Sequence, residues 1–375
     1  MKVLLVATVQ SHICQFHRPL VKMLHDYGCE VHVAARNNLA EKNGLKLDFA
    51  DRVFDLPFSR SPISKNNISA YRQLKELIER EQYDAVHCNT PVGGILARLA
   101  AKRVRKRGCK VIYTAHGFHF FRGGPKKSWL IYYPIEKFMC RYTDLLITIN
   151  EEDYALAQKK FPVQTAHIHG VGVNAERYHP VSGEDSAALK KQLSYEKNRI
   201  VLCTGELNEN KNQLTAIRAM STVVKSVPNA RLLLAGNGPM EETLRQEIDR
   251  LELSDCVELL GYRTNLQDYV DIADVIVSCS KREGMPLNII EGMLCEKPIV
   301  ASINRGHKEL IEDGVTGYLL EADDADAFAG RMIDLLCDPA LARRMGAAGK
   351  KRAARYTDCT VYRELEEIYG AMGIL

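Results

Sequence analysis

Short apolar runs rich in valine and isoleucine recur along this 375-residue chain, and each is followed by a longer amphipathic stretch. Continuous apolar runs of this length predict strands buried on both faces of a parallel sheet, and the stretches between them predict helices. In the first half the predicted strands are 2–7, 30–34, 85–88, 110–114, 144–149 and 165–169. In the second half they are 199–204, 231–235, 257–260, 275–278, 298–301 and 318–320. The alternation predicts an α/β fold.

The chain is longer than one hydrophobic core usually serves, so the two sets of strands predict two doubly wound, Rossmann-like domains. The sequence Gly-Val-Gly-Val-Asn at 170–174 and the polar stretch 181–185 separate the two sets and predict a hinge. We expect the domains to span about 1–178 and 179–358. In open sheets of this kind ligands bind beyond the carboxyl ends of the strands, so the residues that follow each run are the candidates for a site.

The two halves of the chain differ in charge. Residues 1–180 carry 27 lysines and arginines against 16 aspartates and glutamates, a net charge of +11, whereas residues 181–375 carry 24 against 31, a net charge of −7. The densest basic cluster lies at 102–110, near the end of a predicted helix. Such a cluster is typical either of a solvated helix terminus or of a surface that binds anions. No nucleic-acid motif accompanies it, so the anionic partner that we expect is a membrane surface and not a nucleic acid.

Other features of composition predict a cytoplasmic protein. No apolar run approaches the length that spans a bilayer, and the apolar start of the chain has no small-residue cleavage site, so it is interpreted as a buried first strand. The eleven cysteines are scattered without a Cys-x-x-Cys pair, which suggests neither a zinc site nor a disulfide framework. The expected location is the cytoplasm, peripheral on the inner face of the cell membrane.

The segment 281–292 holds the strongest candidate chemistry. It follows the predicted strand 275–278, and Pro286 is placed to begin a helix, which puts Glu283 in the preceding loop and Glu291 about five residues inside the helix. The free N–H groups at such a helix start favour an anion, and Glu283 could accept hydrogen bonds from neutral hydroxyls beside it. An anion held by backbone and a polyol held by a carboxylate together describe a sugar phosphate.

In this context the chain resembles the family-4 retaining glycosyltransferases of the GT-B fold, whose E-x7-E motif matches Glu283 through Glu291. Further points of likeness are spread over nearly the whole chain. They are Thr114-Ala115-His116-Gly117, the sequence at 170–174, Lys211, Ala235-Gly236-Asn237-Gly238-Pro239 and Asp313-Gly314-Val315-Thr316-Gly317-Tyr318. The aromatic segment from His116 to Asp153 is similar to bacterial members that assemble capsular or exopolysaccharide repeat units.

The resemblance implies a hexosyltransferase that moves a hexose or N-acetylhexosamine, most simply from a UDP-sugar, to a lipid-linked or glycan acceptor. It implies that the acceptor binds the first domain, the donor binds the second, and the C-terminal helix, 359–375, packs back on the first. No general base is evident, which is consistent with a front-face retaining mechanism. The nucleotide sugar is a substrate, and we expect neither a cofactor nor a metal.

Carried over residue by residue, the resemblance assigns catalytic roles to His116, Glu283 and Lys211, with Glu283 on the sugar and Lys211 on the diphosphate. Glu291 is expected to bind the ribose. The remaining expected donor-binding residues are Arg282, Gly284, Met285, Pro286, Leu287, Gly236, Gly238, Tyr262, Glu206, Ser11 and His12. The expected acceptor-binding residues are His119, Phe120 and Arg122.

Two positions depart from the family pattern. The family usually has an arginine five residues before the lysine, where this chain has Glu206. We therefore predict that Arg282 or Lys281 supplies the second positive charge, and that Glu206 orients Lys211. The family often has paired glycines after the first strand, where this chain has Gln10-Ser11-His12, so side chains are expected to act near the phosphates instead.

Other interpretations remain open on the sequence. Lys211 could pair with Glu206 or Glu209 on a surface, and His116 could be a core histidine. The sequence Asp324-Ala325-Asp326 spells the metal-binding DxD of other glycosyltransferases, although its position predicts a helix start. A nucleotide-sugar epimerase or oxidoreductase is a second class of function, because Gly236 and Gly238 follow a strand, but the third glycine of a dinucleotide site is missing. A non-catalytic sugar-nucleotide-binding protein is a third.

Overall fold

The computed structural model describes residues 1–41 and 45–375 and forms two compact units. Unit 1 comprises Met1–Gly172 and Asp358–Leu375, and unit 2 comprises Val173–Thr357. The first division lies six residues before the position expected from the sequence. Gly172 has a φ of +82°, and a Cβ atom there would lie 2.8 Å from the Cα atom of Asp358. The outgoing chain thus passes the returning chain where only a glycine fits.

Unit 1 contains a seven-stranded parallel sheet in the order β3-β2-β1-β4-β5-β6-β7. The strands are β1 Lys2–Val9, β2 Glu30–Arg36, β3 Arg52–Asp55, β4 Ala85–Asn89, β5 Lys110–Ala115, β6 Leu145–Thr148 and β7 Gln164–His167. Six of them were predicted from the sequence, and β3 was not. This strand is short, has charged residues at both ends and lies exposed at the edge of the sheet, so it carries no apolar run.

Helices cover both faces of this sheet, as right-handed crossovers between parallel strands require. They are α1 Gln10–Phe16, α2 Arg18–Asp26, α3 Asn66–Glu81, α4 Pro91–Ala100, α5 Lys102–Arg105, α6 Lys126–Met139 and α7 Glu151–Lys160. One apolar core runs from β1 and β4 to the aromatic residues Phe118, Phe120 and Phe161.

Unit 2 contains a six-stranded parallel sheet in the order β10-β9-β8-β11-β12-β13, and every one of its strands was predicted. Its elements in chain order are α8 Gly183–Gln192, β8 Arg199–Thr204, α9 Gln213–Ser226, β9 Ala230–Ala235, α10 Glu241–Arg250, β10 Val257–Gly261, α11 Leu266–Ile272, β11 Val275–Ser278, α12 Leu287–Leu294, β12 Ile299–Ser302, α13 Arg305–Leu310, β13 Gly317–Leu320, α14 Ala325–Cys337 and α15 Pro339–Ala353. Both sheets have the strand order of doubly wound folds.

The last helix, α16 Asp358–Ala371, belongs to unit 1, where it packs against α2. Its buried Tyr369 shares a 2.6 Å hydrogen bond with Nδ1 of His87 in β4. Over the described ranges, 1–41 and 45–375, no helix combines the length and the apolar character needed to cross a membrane.

Candidate functional site

The carboxyl ends of β8 and β11 bring Lys211 and Glu283 together. The ammonium Nζ of Lys211 donates to Oε1 of Glu283 over 2.7 Å, and both side chains are mostly buried. The loops that carry them are joined by backbone contacts, because Lys281 N donates to Asn210 O and Asn210 Nδ2 donates to Arg282 O. Two candidates that lie 72 residues apart therefore form one charged pair at the sheet edge where ligands bind in such folds.

Gly205 makes room for the lysine. A Cβ atom at Gly205, whose φ is +142°, would lie 3.1 Å from Cε of Lys211, so the lysine stem passes closely over this glycine. The prediction that Glu206 orients Lys211 is wrong. Glu206 is exposed and accepts a hydrogen bond from Asn208, and Glu283 holds the ammonium instead. The surface pairing of Lys211 with Glu206 or Glu209 is excluded on the same grounds.

His307 lies behind this pair and was not identified from the sequence. It belongs to α13, is fully buried, and its Nδ1 lies 2.7 Å from the carbonyl of Ser302. Burial lowers the pKa of His307 to about 4, even though the Ser302 carbonyl and nearby Glu283 act in the opposite direction. The imidazole of His307 is therefore neutral. The only available signal was its position after strand β12.

Backbone groups around the start of α12 also contribute to this edge of the sheet. Gly306 lies so close to the Glu283 loop that a Cβ atom would be 2.9 Å from the carbonyl oxygen of Gly284. The sequence suggested that Pro286 is the first residue of α12, but it is the N-cap. Its side chain gives the helix no capping bond. The segment Gly284–Leu287 therefore leads into a helix start whose N–H groups are available to an anion.

Glu291 lies in the first turns of α12 and faces Tyr178. The Tyr178 hydroxyl hydrogen-bonds the Glu291 carboxyl, and Arg177 is close enough to act on it electrostatically. Burial nonetheless raises the pKa of Glu291 to about 7. Strong perturbation of a carboxyl by desolvation is frequent at functional sites.

The glycine turn after β9 packs against the loop after β8. A Cβ atom at Gly236 would lie 1.9 Å from the carbonyl oxygen of Gly205, and one at Gly238 would lie 2.2 Å from that of Leu207. These glycines thus permit close approach of two loops at the carboxyl edge. Tyr262, which follows β10, and Arg282 are both exposed.

In unit 1 the carboxyl ends of β1 and β5 bring His12, His17 and His116 together. The ring centroids of His12 and His116 are 4.5 Å apart, and that of His17 is 5.3 Å from each. Nε2 of His12 and Nε2 of His17 are buried and make no hydrogen bond. His116 Nε2 lies 3.3 Å from Oδ1 of Asn89, a buried residue at the end of β4 that was not predicted from the sequence.

These imidazoles are held neutral. Burial lowers the pKa of His116 to about 4, and it lowers the pKa of both His12 and His17 well below the usual range, with His116 as a further cause for each. Neutral imidazoles act as hydrogen-bond donors and acceptors to hydroxyls, and they also bind metal ions.

The other unit 1 candidates differ in accessibility. Ser11 is buried, and its hydroxyl accepts a hydrogen bond from Asn38. Phe120 is fully buried and stacks on Phe118, so the expectation that its ring contacts an acceptor is corrected: a core side chain is not accessible to one. His119 is exposed and stacks on Tyr132 with ring centroids 4.6 Å apart, and Arg122 is also exposed.

Two groups among the described residues have the composition of metal sites. The candidate ligand atoms of His12, His17 and His116 all lie within 4.8 Å of one another, and a second group contains Glu151, His167 and His169. The DxD sequence is not such a group. Asp324 is the N-cap of α14, and its carboxylate accepts from Ala327 N, as expected of a helix start.

Comparison with known proteins decides the family. Residues 2–150 match the family described as Glycosyl transferase 4-like, and residues 185–352 match Glycosyl transferases group 1. The chain is 43% identical over 373 residues to the putative glycosyltransferase EpsD of Bacillus subtilis, an alignment that covers 99% of this chain and 96% of the relative. The chain belongs to glycosyltransferase family 4. It is thus an enzyme of polysaccharide or glycoconjugate synthesis.

Two further comparisons are with more distant proteins. A UDP-Gal:alpha-D-GlcNAc-diphosphoundecaprenol alpha-1,3-galactosyltransferase of Escherichia coli is 29% identical over 319 residues, covering 81% of each chain. The crystal structure of Anabaena HepE in complex with UDP and glucose superimposes with a TM-score of 0.78 at 20% identity, covering 99% of this chain and 100% of HepE. This likeness confirms the predicted GT-B fold.

Proposed function

We propose that this family-4 glycosyltransferase transfers a hexose or N-acetylhexosamine from a UDP-sugar, with retention of configuration, to a lipid-linked or glycan acceptor in cell-surface polysaccharide synthesis. The observation that carries the proposal is the Lys211–Glu283 pair at the carboxyl edge of the unit 2 sheet. It pairs a cation for a diphosphate with a carboxylate for sugar hydroxyls. The E. coli relative, whose name specifies a UDP-sugar and a diphosphoundecaprenol acceptor, supports this choice of substrates.

The chemistry follows from charge. As the glycosidic bond to the nucleoside diphosphate breaks, negative charge grows on the leaving phosphate and positive charge grows on the sugar. Lys211, the backbone N–H groups at the start of α12 and the exposed Arg282 are the groups that would stabilise the phosphate. In a front-face mechanism the leaving phosphate accepts the acceptor proton, so no general base is required.

The two units have separate roles in this proposal. Unit 2 binds the donor, with the Glu291 carboxylate accepting from ribose hydroxyls. Unit 1 binds the acceptor, and its His116 and His12 hydrogen-bond substrate oxygens. We also propose that unit 1, the basic half of the chain, places the enzyme on the cytoplasmic surface of an anionic membrane, where a lipid-linked acceptor would be found.

The direct test is a donor and acceptor panel. The purified enzyme is incubated with UDP- and GDP-sugars and with lipid diphosphate acceptors, and NMR reads the anomeric configuration of each product. Transfer from a UDP-sugar with retention supports the proposal. Inversion of configuration, or binding of UDP-sugars without transfer or donor hydrolysis, contradicts it and would favour another mechanism or a binding protein.

The raised pKa of Glu291 predicts how the affinity for the donor depends on pH. Ribose hydroxyls donate to the ionised carboxylate, whereas the free protein holds this carboxyl at a pKa of about 7. Donor binding should therefore release a proton, and affinity should rise as the pH increases from 6 through about 7 to 8. Calorimetry with an intact UDP-sugar avoids the titration of a terminal phosphate. Glu291→Gln should bind more weakly and lose this pH dependence; affinity that falls with rising pH would remove Glu291 from the ribose site.

Metal removal should leave the transfer rate largely unchanged, because Lys211, Arg282 and helix N–H groups meet the diphosphate charge in this proposal. The measurement is the initial rate with and without EDTA. A rate that falls in EDTA and returns with manganese would contradict it. His17→Gln would then test the three-histidine group, and Asp324→Asn is the matched control because Asp324 caps a helix.

A further inference from the structure

Helix α6 of unit 1 has its apolar face turned to solvent. The side chains of Leu130, Ile131, Ile135 and Phe138 are exposed by 76%, 55%, 39% and 49%. They lie on one side of the helix, two at adjacent positions and the others four and then three residues further on. A helix at the surface of a soluble domain normally presents charged residues there, so this face needs a partner.

The opposite side of α6 explains why the apolar face points outward. Glu136 is buried and accepts a hydrogen bond from the buried Arg98 over 2.9 Å. On the same side Trp129 and Tyr133 pack against the core of unit 1, and Trp129 Nε1 donates to the carbonyl of Phe121. The ion pair and these two aromatic rings fix the rotation of the helix, which leaves its leucine, isoleucine and phenylalanine side chains in solvent.

Basic side chains border this face. Lys126, Lys127 and Lys137 lie on α6 itself and are exposed. At its C-terminal end the Arg141 guanidinium lies 4.3 Å from the centre of the Phe138 ring, and Lys102 Nζ of α5 lies 5.5 Å from that of Tyr142. The basic cluster of residues 102–110 is therefore continuous with the apolar face.

Within that cluster, one arginine has a structural role. Arg105 donates to Asp144 and to the carbonyl of Arg141, which ties α5 to the end of α6. Arg103, Lys106 and Arg107 are exposed and can meet an external anion. An apolar helix face with a basic border is the pattern of helices that lie in the interface of anionic bilayers.

We propose that α6 is a membrane-docking helix: Leu130, Ile131, Ile135 and Phe138 enter the interface of an anionic bilayer, and the basic border contacts lipid headgroups. The proposal rests on the proposed transfer to a membrane-bound acceptor and names the surface that would bring unit 1 to it. A second copy of the chain fits less well. Two such faces would bring together borders of like charge, and one side of a 14-residue helix is small beside the surface that a stable dimer buries.

Vesicle co-sedimentation tests the apolar contact separately from the charge. The triple variant Leu130→Ser, Ile131→Ser, Phe138→Ser should bind vesicles of phosphatidylglycerol and phosphatidylcholine at least about tenfold more weakly, and its residual binding should disappear at high salt. The matched control is Ile63→Ser with Ile68→Ser, which removes exposed isoleucines outside α6 and should bind like wild type.

The charge variant Arg103→Gln, Lys106→Gln, Arg107→Gln should also bind more weakly at low salt, but its remaining binding should change little as salt is raised. Both triple variants should keep wild-type turnover on a soluble acceptor analogue, because none of these side chains belongs to the proposed site.

Three outcomes would overturn docking. In the first, the wild type and the serine triple variant bind vesicles equally. In the second, the wild type binds neutral and anionic vesicles equally. In the third, the wild type binds no vesicles and is a dimer, whereas the serine triple variant is a monomer. Failure of the proposed function is a different result: no transfer in detergent with any donor, while specific vesicle binding through α6 is retained.

Discussion

Glu283→Gln is expected to lower kcat by at least about 100-fold while leaving the affinity for UDP nearly unchanged. The carboxylate has two functions in the proposed site. It accepts from donor sugar hydroxyls, and its Oε1 holds the Lys211 ammonium at 2.7 Å. Glutamine removes the negative charge, so the lysine loses the partner that fixes its position. UDP lacks the sugar that the carboxylate contacts, and the Lys211 ammonium keeps its charge for the diphosphate, so the affinity for UDP should change little.

Lys211→Met should weaken donor binding or turnover by about 10- to 150-fold, since a charge-assisted hydrogen bond contributes roughly 1.5–3 kcal/mol. Because the two residues act as one unit, the double variant should be hardly worse than the more damaging single variant. Steady-state kinetics and calorimetry with UDP separate kcat from nucleotide affinity in each variant.

Glu206→Ala is the matched control. Glu206 is exposed and contacts Asn208, so its loss should change kcat by much less than the loss of Lys211. If Arg282 supplies the second positive charge, Arg282→Ala should resemble Lys211→Met, whereas Lys281, which lies 3.6 Å from Asp323, should matter less. Collapse of UDP binding in Glu283→Gln, with turnover per bound donor retained, would show that the carboxylate contacts the nucleotide and not the sugar.

Arg98→Leu is expected to destabilise unit 1 by about 3–5 kcal/mol. The Arg98 guanidinium donates to Glu136 and to the carbonyl of Gly94, and it lies 4.0 Å from the centre of the Tyr113 ring. Its removal leaves the Glu136 carboxylate buried, and within the described ranges the Tyr113 hydroxyl, at 3.3 Å, is then its one remaining side-chain donor. An uncompensated buried charge is the reason for the size of this effect.

Urea unfolding followed by Trp129 fluorescence measures this effect in the right unit, because Trp129 is the single tryptophan of the chain and lies in unit 1. The double variant Arg98→Leu with Glu136→Leu should recover much of the loss, since it leaves no unpaired charge. Arg103→Ala, at an exposed site of the same helical region, should change the stability by less than about 0.5 kcal/mol. Equal stability of Arg98→Leu and wild type would contradict an uncompensated buried charge at Glu136.

Most of the fold could be predicted from the sequence. Strands buried on both faces must be apolar throughout, so twelve of the thirteen strands appeared as valine- and isoleucine-rich runs. The exception, β3, lies at a sheet edge, where burial does not dictate composition. Candidate positions such as Lys211, Glu283 and His116 could also be predicted, because ligand-binding residues follow strand ends in doubly wound sheets and these three match family motifs.

The partners of those residues could not be predicted from the sequence. Spacing along the chain suggested Glu206 for Lys211, but the neighbouring strands β8 and β11 place Glu283 there from 72 residues away. The gathering of His12, His17 and His116, and the placement of the buried His307 near Glu283, likewise depend on which strand ends adjoin.

The sequence by itself thus determined the two α/β domains, the family and the positions of its motifs. Each of these depends on residues that are close together along the chain. Only the tertiary structure decided which charges pair and which side of α6 faces solvent. The sequence of α6 is apolar around most of its circumference, and the buried contact between Glu136 and Arg98, 38 residues apart, selects its inner side. Pair contacts between distant residues arise only when the sheet and helices pack.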